Sequence, residues 1–158
     1  MYKNIKLILW SFVVMLSLTS CYEEPDLFDD LLVSNGKVAQ IAVLWLGDTK
    51  VYSAAGVLQP GITVDSTTTV NVNIEYTSEV KVKEFRIYSS PTTTGEQTLI
   101  ATLPAGTEKY DAELRNYVVK VPVKAPLTRN ASVVLFAEVI AENNLPSSQR
   151  NVTLKTNP

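Results

Sequence analysis

The clearest pattern in the chain lies over residues 70–76. Val70, Val72, Ile74 and Tyr76 fall on one face and Asn71, Asn73 and Glu75 on the other. Alternation of period two is the mark of a half-buried β-strand, because successive side chains of a strand point to opposite sides. Six more segments read as strands. Residues 38–46 (VAQIAVLWL) are almost continuously apolar. Such a run is either a strand buried on both faces or a short helix, and its β-rich surroundings favour the strand. Residues 83–88 set Phe85 and Ile87 against Glu84, Arg86 and Tyr88, and residues 98–103 form a short strand closed by Pro104-Ala105-Gly106. Residues 117–123 set Tyr117, Val119, Val121 and Val123 against Val118, Lys120 and Pro122. Proline cannot donate to a ladder, so this strand lies at an edge or ends there. Residues 132–142 are the longest apolar segment and read as central, and residues 151–155 close the chain with Val152 and Leu154 inward. The turn-rich connection over residues 50–66 leaves room for a short strand at residues 50–52.

About seven short strands with turn signals between them predict an all-β fold, an antiparallel β-sandwich. Phe85-Arg86-Ile87-Tyr88, the run from Phe136 to Asn143, the loop after it and Val152-Thr153-Leu154 resemble strands C, F and G of fibronectin type III and related immunoglobulin-like domains. The resemblance covers roughly residues 68–156. It departs from the family at strand B, where Ile74-Glu75-Tyr76 stands in place of the family's tryptophan. In such a topology Arg86 and Glu138 occupy the outer faces of neighbouring strands, where a cross-strand pair is worth about 0.2–1 kcal/mol.

Ahead of this domain the pattern changes. Lys3 and Lys6 precede an apolar run over residues 7–18 (LILWSFVVMLSL), and Thr19 and Ser20 then lead to Cys21. That order of charge, apolar run and small residues is a secretory signal, not part of the fold. The run falls short of the roughly 18 apolar residues a membrane span needs, and Glu23 and Glu24 follow almost at once. Leu18-Thr19-Ser20-Cys21 resembles the lipobox of bacterial lipoproteins, in which the cysteine becomes the lipidated first residue after cleavage. The resemblance implies acyl chains (palmitate among them) on Cys21 and a membrane partner reached through them. The alternative, a lone cysteine behind an ordinary cleavage site, leaves an unprotected thiol on an exported protein. Residues 1–20 are thus read as a lipoprotein signal peptide, 21–36 as lipidated cysteine and tether, and 37–158 as the sandwich domain.

The tether carries Glu23, Glu24, Asp26, Asp29 and Asp30 and no basic residue before Lys37. A flexible stretch of this length has an r.m.s. reach of roughly 20 Å. Its acidic cluster resembles the export signal of surface-exposed lipoproteins in glycan-importing Gram-negative bacteria, which implies an outer-membrane location facing the cell exterior. The other reading is a charged spacer with no sorting role.

Charge and chemistry narrow the function. The chain is slightly acidic, with 14 basic against 16 acidic residues, and lacks a basic cluster, which argues against nucleic acid as a partner. It contains no histidine and a single cysteine. Ser-His-Asp and Cys-His catalysis are therefore absent, and so is the commonest metal ligand. Glu138 and Glu142 share a strand face, as do Asp111 and Glu113 if that segment is extended. Strand residues four apart are about 13 Å apart, too far for either glycosidase geometry. No calcium or phosphate loop is present, and no cofactor is expected.

Aromatic platforms for sugars are the stronger possibility. Trp45, Tyr76 and Tyr117 are expected in the core; of the other tyrosines after the signal segment, at 22, 52, 88 and 110, Tyr52 and Tyr88 are read as the exposed ones and as the candidate ligand-contact aromatics. Asp65-Ser66-Thr67 resembles the O-glycosylation acceptor of such bacteria, which implies modification at Ser66. These features add up to a non-enzymatic, lipid-anchored binding or accessory module that meets glycan or other envelope proteins. The set resembles small immunoglobulin-like lipoproteins accompanying SusC/SusD-type glycan uptake systems. The competing reading is a structural or adhesive subunit or anchor of a surface fibre. The N-terminus is expected beside loop 143–150, with loops 47–67, 89–97 and 124–131 at the far end as the place for a partner.

Overall fold

The computed structural model describes residues 36–158. The signal segment, Cys21 and the acidic stretch lie outside the described residues. Eleven strands follow one another among the described residues: β1 (Gln40–Leu46), β2 (Val51–Tyr52), β3 (Leu58–Gln59), β4 (Ile62–Val64), β5 (Thr69–Thr77), β6 (Val82–Ser90), β7 (Thr98–Pro104), β8 (Lys109–Asp111), β9 (Asn116–Lys124), β10 (Ser132–Ala141) and β11 (Arg150–Thr156). One sheet has the order β1-β5-β9-β8 and the other β4-β11-β10-β6-β7, while β2 and β3 form a separate hairpin. This is an immunoglobulin-like β-sandwich. All seven strands expected from the hydrophobic pattern are present, the short strand allowed for at residues 50–52 is β2, and β3, β4 and β8 are short additions.

The core is filled by the inward faces of both sheets. Val70, Val72, Ile74 and Tyr76 of β5 meet Phe85 and Ile87 of β6, with Val119 and Val121 from β9 and Leu135, Ala137 and Val139 from β10. Tyr76 and Phe85 link the two sheets, their ring centroids 5.4 Å apart at a 60° tilt. That is the edge-to-face range favoured by the ring quadrupoles. β10 is the longest strand and lies between β11 and β6, so its continuous apolar run is explained by burial on both faces. Pro122 sits on the stretch of β9 that β8 does not cover, since β8 pairs only with Asn116, Tyr117 and Val118. Its missing N–H therefore costs no ladder bond.

Three features differ from the sequence reading. First, β4 runs parallel to β11, with Ile62, Thr63 and Val64 opposite Leu154, Lys155 and Thr156. The preceding Gly61 makes this approach possible, because a Cβ there would stand 2.6 Å from the Thr153 carbonyl oxygen. Second, β5 is buried on both faces and not half-buried, with Asn73 at 0% and Glu75 at 3% exposure. After Gly47, whose φ of 95° suits glycine, the chain turns back over that face. Asp48 there accepts a hydrogen bond from Asn71 (2.9 Å), and Lys50 pairs with Glu75 (2.7 Å). Third, the segment after Asp111 is not extended: residues 112–115 form a turn, in which Asp111 Oδ1 accepts the N–H groups of Glu113 and Leu114 at 2.9 and 3.0 Å.

The expected placement of the chain entry is found. The Lys37 carbonyl accepts a hydrogen bond from Asn143 Nδ2 at 3.0 Å, and Lys37 Nζ lies 2.6 Å from Glu79. Residue 37 thus stands beside the β5–β6 and β10–β11 loops.

Candidate functional site

At that same end three tyrosines come together. Tyr76 is the last inward residue of β5, Tyr117 is its register partner on β9, and Tyr110 on β8 is in turn the partner of Tyr117. Equal register on adjacent strands puts their rings side by side on one sheet face. Tyr76 and Tyr117 are stacked, 5.5 Å between centroids at 24°, and Tyr110 is tilted by 60° against Tyr117 at 5.1 Å. Exposure rises along the row, from 2% at Tyr76 through 37% at Tyr117 to 57% at Tyr110. The inner two rings line a cleft of about 400 Å³ that also takes in Glu79, Lys81, Glu108 and Glu142. That volume lies in the range of small-ligand pockets.

The expectation that Tyr117 is buried is corrected here. Its phase is inward as read, but it sits near the start of β9, where it borders the open cleft. Tyr76 and Trp45 are buried as expected. Burial pushes the Tyr76 phenol well above its usual range, with the Glu108 carboxylate and Tyr117 adding to the effect. Its hydroxyl forms no hydrogen bond within the protein among the described residues and opens on the cleft. Glu108 is half-buried, and its Oε2 accepts the Gly106 N–H at 2.6 Å. Glu79 is held below the ordinary carboxylate range by the hydrogen bond and charge of Lys37.

The aromatic residues singled out from the sequence lie elsewhere and apart from each other. Tyr52 is 55% exposed on the β2–β3 hairpin, near the similarly exposed Val51 and Val57. Tyr88 is half-buried on the outer face of the second sheet, where its hydroxyl donates to Glu138 Oε2 at 3.0 Å. Burial raises the Tyr88 pKa first, and the bond to Glu138 adds to it. Arg86 and Glu138 are register partners as expected. Yet Arg86 makes its ion pair with Glu84, two residues along its own strand, which leaves Glu138 to Tyr88. Ser66 is half-buried in the tight turn between β4 and β5, next to Thr67 with its φ of 68°.

A second polar cluster occupies the outer face of the first sheet. Glu75 accepts the Trp45 indole N–H at 3.0 Å, pairs with Lys50, and lies 3.5 Å from Asn116 Nδ2. Among the described residues no group of three or more metal-ligating side chains occurs, and no helix is long and apolar enough to cross a membrane.

What sequence reading missed is the row of Tyr76, Tyr117 and Tyr110 together with Glu108. The available signal was positional. Each tyrosine borders a loop, and the antiparallel topology brings all of those loops to one end.

No known protein family matches the chain, and neither does any curated protein. Solved structures give distant likenesses only. A chitin binding domain from Burkholderia pseudomallei is 14% identical with a TM-score of 0.42, over 60% of this chain and 55% of that one. A family 76 glycoside hydrolase from a bovine Bacteroides thetaiotaomicron strain is 13% identical with a TM-score of 0.43, over 76% of this chain and 21% of that one. The fibronectin(III)-like modules of Clostridium thermocellum CbhA are 13% identical with a TM-score of 0.39, over 73% of this chain and the whole of that one. The chain thus spans about half of the first structure and a fifth of the second. Likenesses this distant carry no argument about function.

Proposed function

We propose that this chain is a lipid-anchored, non-catalytic carbohydrate-binding module of the cell envelope. The observation that supports it is the tyrosine row opening into the cleft. Flat aromatic faces offer a stacking surface to a pyranose ring, and the cleft's carboxylates and free phenol can take up sugar hydroxyls. Catalysis is disfavoured by the state of the carboxylates. A glycosidase needs a carboxylic acid with a raised pKa opposite a second carboxylate. Here Glu79 is exposed and its pKa is lowered by Lys37, while Glu108 braces its own turn.

The anchor in this reading is Cys21, carrying acyl chains, with the domain displayed outside the outer membrane. The fibre-subunit alternative is weaker, because strand exchange requires a regular open edge. β1 and β7 are edge strands, and the pairing of each with its neighbour is interrupted by a register shift, at Ile41/Val43 and at Ile87/Tyr88. The remaining edges, β4 and β8, have three residues each.

The test is binding of the full chain to a panel of neutral, amino and acidic oligosaccharides, with Tyr110→Ala and Tyr117→Ala as variants. Both tyrosines are partly exposed, so each variant should fold. Binding of at least one saccharide that drops about tenfold in each variant is expected, the loss of roughly 1.4 kcal/mol of ring contact. Absence of binding across the panel, or binding untouched by both variants, counts against the reading.

A further inference from the structure

Taking the cleft as a carbohydrate site, we propose that it selects saccharides bearing a protonated amine over neutral or acidic ones. The lining includes three carboxylates, Glu79, Glu108 and Glu142, and one basic side chain, Lys81. Glu79 is already paired with Lys37, whereas Glu108 and Glu142 form no ion pair among the described residues. The cleft therefore keeps negative charge that the protein does not neutralise. The tyrosine rings act in the same direction, since an aromatic face presents the negative end of its quadrupole and attracts a cation within about 6 Å of its centroid.

An independent observation lies at the cleft floor. The Tyr76 side chain is 98% buried, being 2% exposed, yet it lines the cleft and its hydroxyl has no hydrogen-bond partner among the described residues. The hydroxyl is not among the fully enclosed polar atoms that lack a partner, so it opens on the cleft, where an entering ligand can meet it. An ammonium group on a sugar ring supplies only donors. It would find acceptors in the phenol oxygen, in Glu108 and in Glu142, while its ring rests on Tyr117. A neutral sugar can use the stacking surface but not the charge. An acidic sugar would add a third like charge to the two unpaired glutamates.

The experiment compares a β-1,4-linked glucosamine tetrasaccharide with its N-acetylated and its glucose counterparts, by calorimetric titration of the full chain in detergent micelles at low and physiological salt. The amine-bearing probe should bind about tenfold tighter than the other two, a difference of roughly 1.4 kcal/mol, and this preference should shrink with salt. Glu108→Gln keeps an acceptor for the Gly106 N–H and removes the charge; it should abolish the preference, and Glu142→Gln should reduce it. Parity among the three probes, or no binding of the amine-bearing one, overturns the inference and leaves the carbohydrate reading to the panel test above. Binding of the amine probe that survives Tyr117→Ala also overturns it, since the amine would then be held by acidic surface outside the cleft.

Discussion

At the residue scale, two buried polar groups set how the protein responds to substitution and to pH. Glu75 is 3% exposed and serves Lys50 and Trp45 at once. Removing one partner of a buried pair leaves the other uncompensated, at a cost of about 3–5 kcal/mol. Glu75→Ala is accordingly expected to cost about 3 kcal/mol, the lower end because Lys50 keeps partial access to solvent, and urea denaturation measures it. Tyr76 gives the pH response. Its folded pKa lies above the unfolded value of 10.0, so below pH 10 the phenol is neutral in both states and its contribution is fully present. Above that value the unfolded chain releases a proton that the folded chain retains. Stability must then fall as pH rises, by about 1.4 kcal/mol per pH unit for one such group. Tyr88 acts with the same sign, so denaturation curves of Tyr76→Phe between pH 9 and about 11 should show a shallower decline, not a flat one.

At the element scale, the long strands announce themselves and the short ones do not. Residues 70–76, 117–123 and 132–142 reveal their strands because a strand with a buried face must alternate or run apolar. β4 and β8 have three residues each, too few for a period to show. Their presence depends on what they reach, β11 in one case and β9 in the other, and that is tertiary information. β4 can be tested through Gly61. Because a Cβ there would stand 2.6 Å from the Thr153 carbonyl oxygen, Gly61→Ala must push β4 away from β11 or strain both. A loss of about 1–3 kcal/mol is expected, the usual cost of overpacking, with faster hydrogen exchange in β4 and at the end of β11 while β5 and β6 stay protected. Glu75 teaches a related lesson. Alternation assigned it correctly to the outer face, but whether an outer face meets solvent depends on a connection, residues 47–50, whose path no periodicity records.

For the whole molecule, the position of the cleft differs from the sequence expectation. Partners were expected at loops 47–67, 89–97 and 124–131, whereas the tyrosine cleft opens at the opposite end, next to Lys37 where the chain enters the domain. The signal was divided between distant segments. Tyr76, Glu108, Tyr110 and Tyr117 look unrelated until β5, β9 and β8 pair, and Tyr52 and Tyr88 stood out instead because each seemed exposed on its own. The proposed anchor yields its own expectation. Cys21→Ala should move the protein from the membrane to the soluble fraction and abolish metabolic palmitate labelling, with the fold unchanged by circular dichroism. Retention in the membrane without label would point to another mode of attachment.

Trp45 gives the molecule a built-in optical gauge. The chain has two tryptophans, and Trp10 lies in the segment read as the cleaved signal. In the processed protein Trp45 would be the sole indole emitter, fixed by its N–H to Glu75 on the side of β5 opposite to Tyr76. Its emission would brighten or redden when the Glu75–Lys50 pair comes apart and water arrives, yet stay quiet when a ligand settles among the tyrosines. One cuvette could then separate unfolding from occupancy without any label.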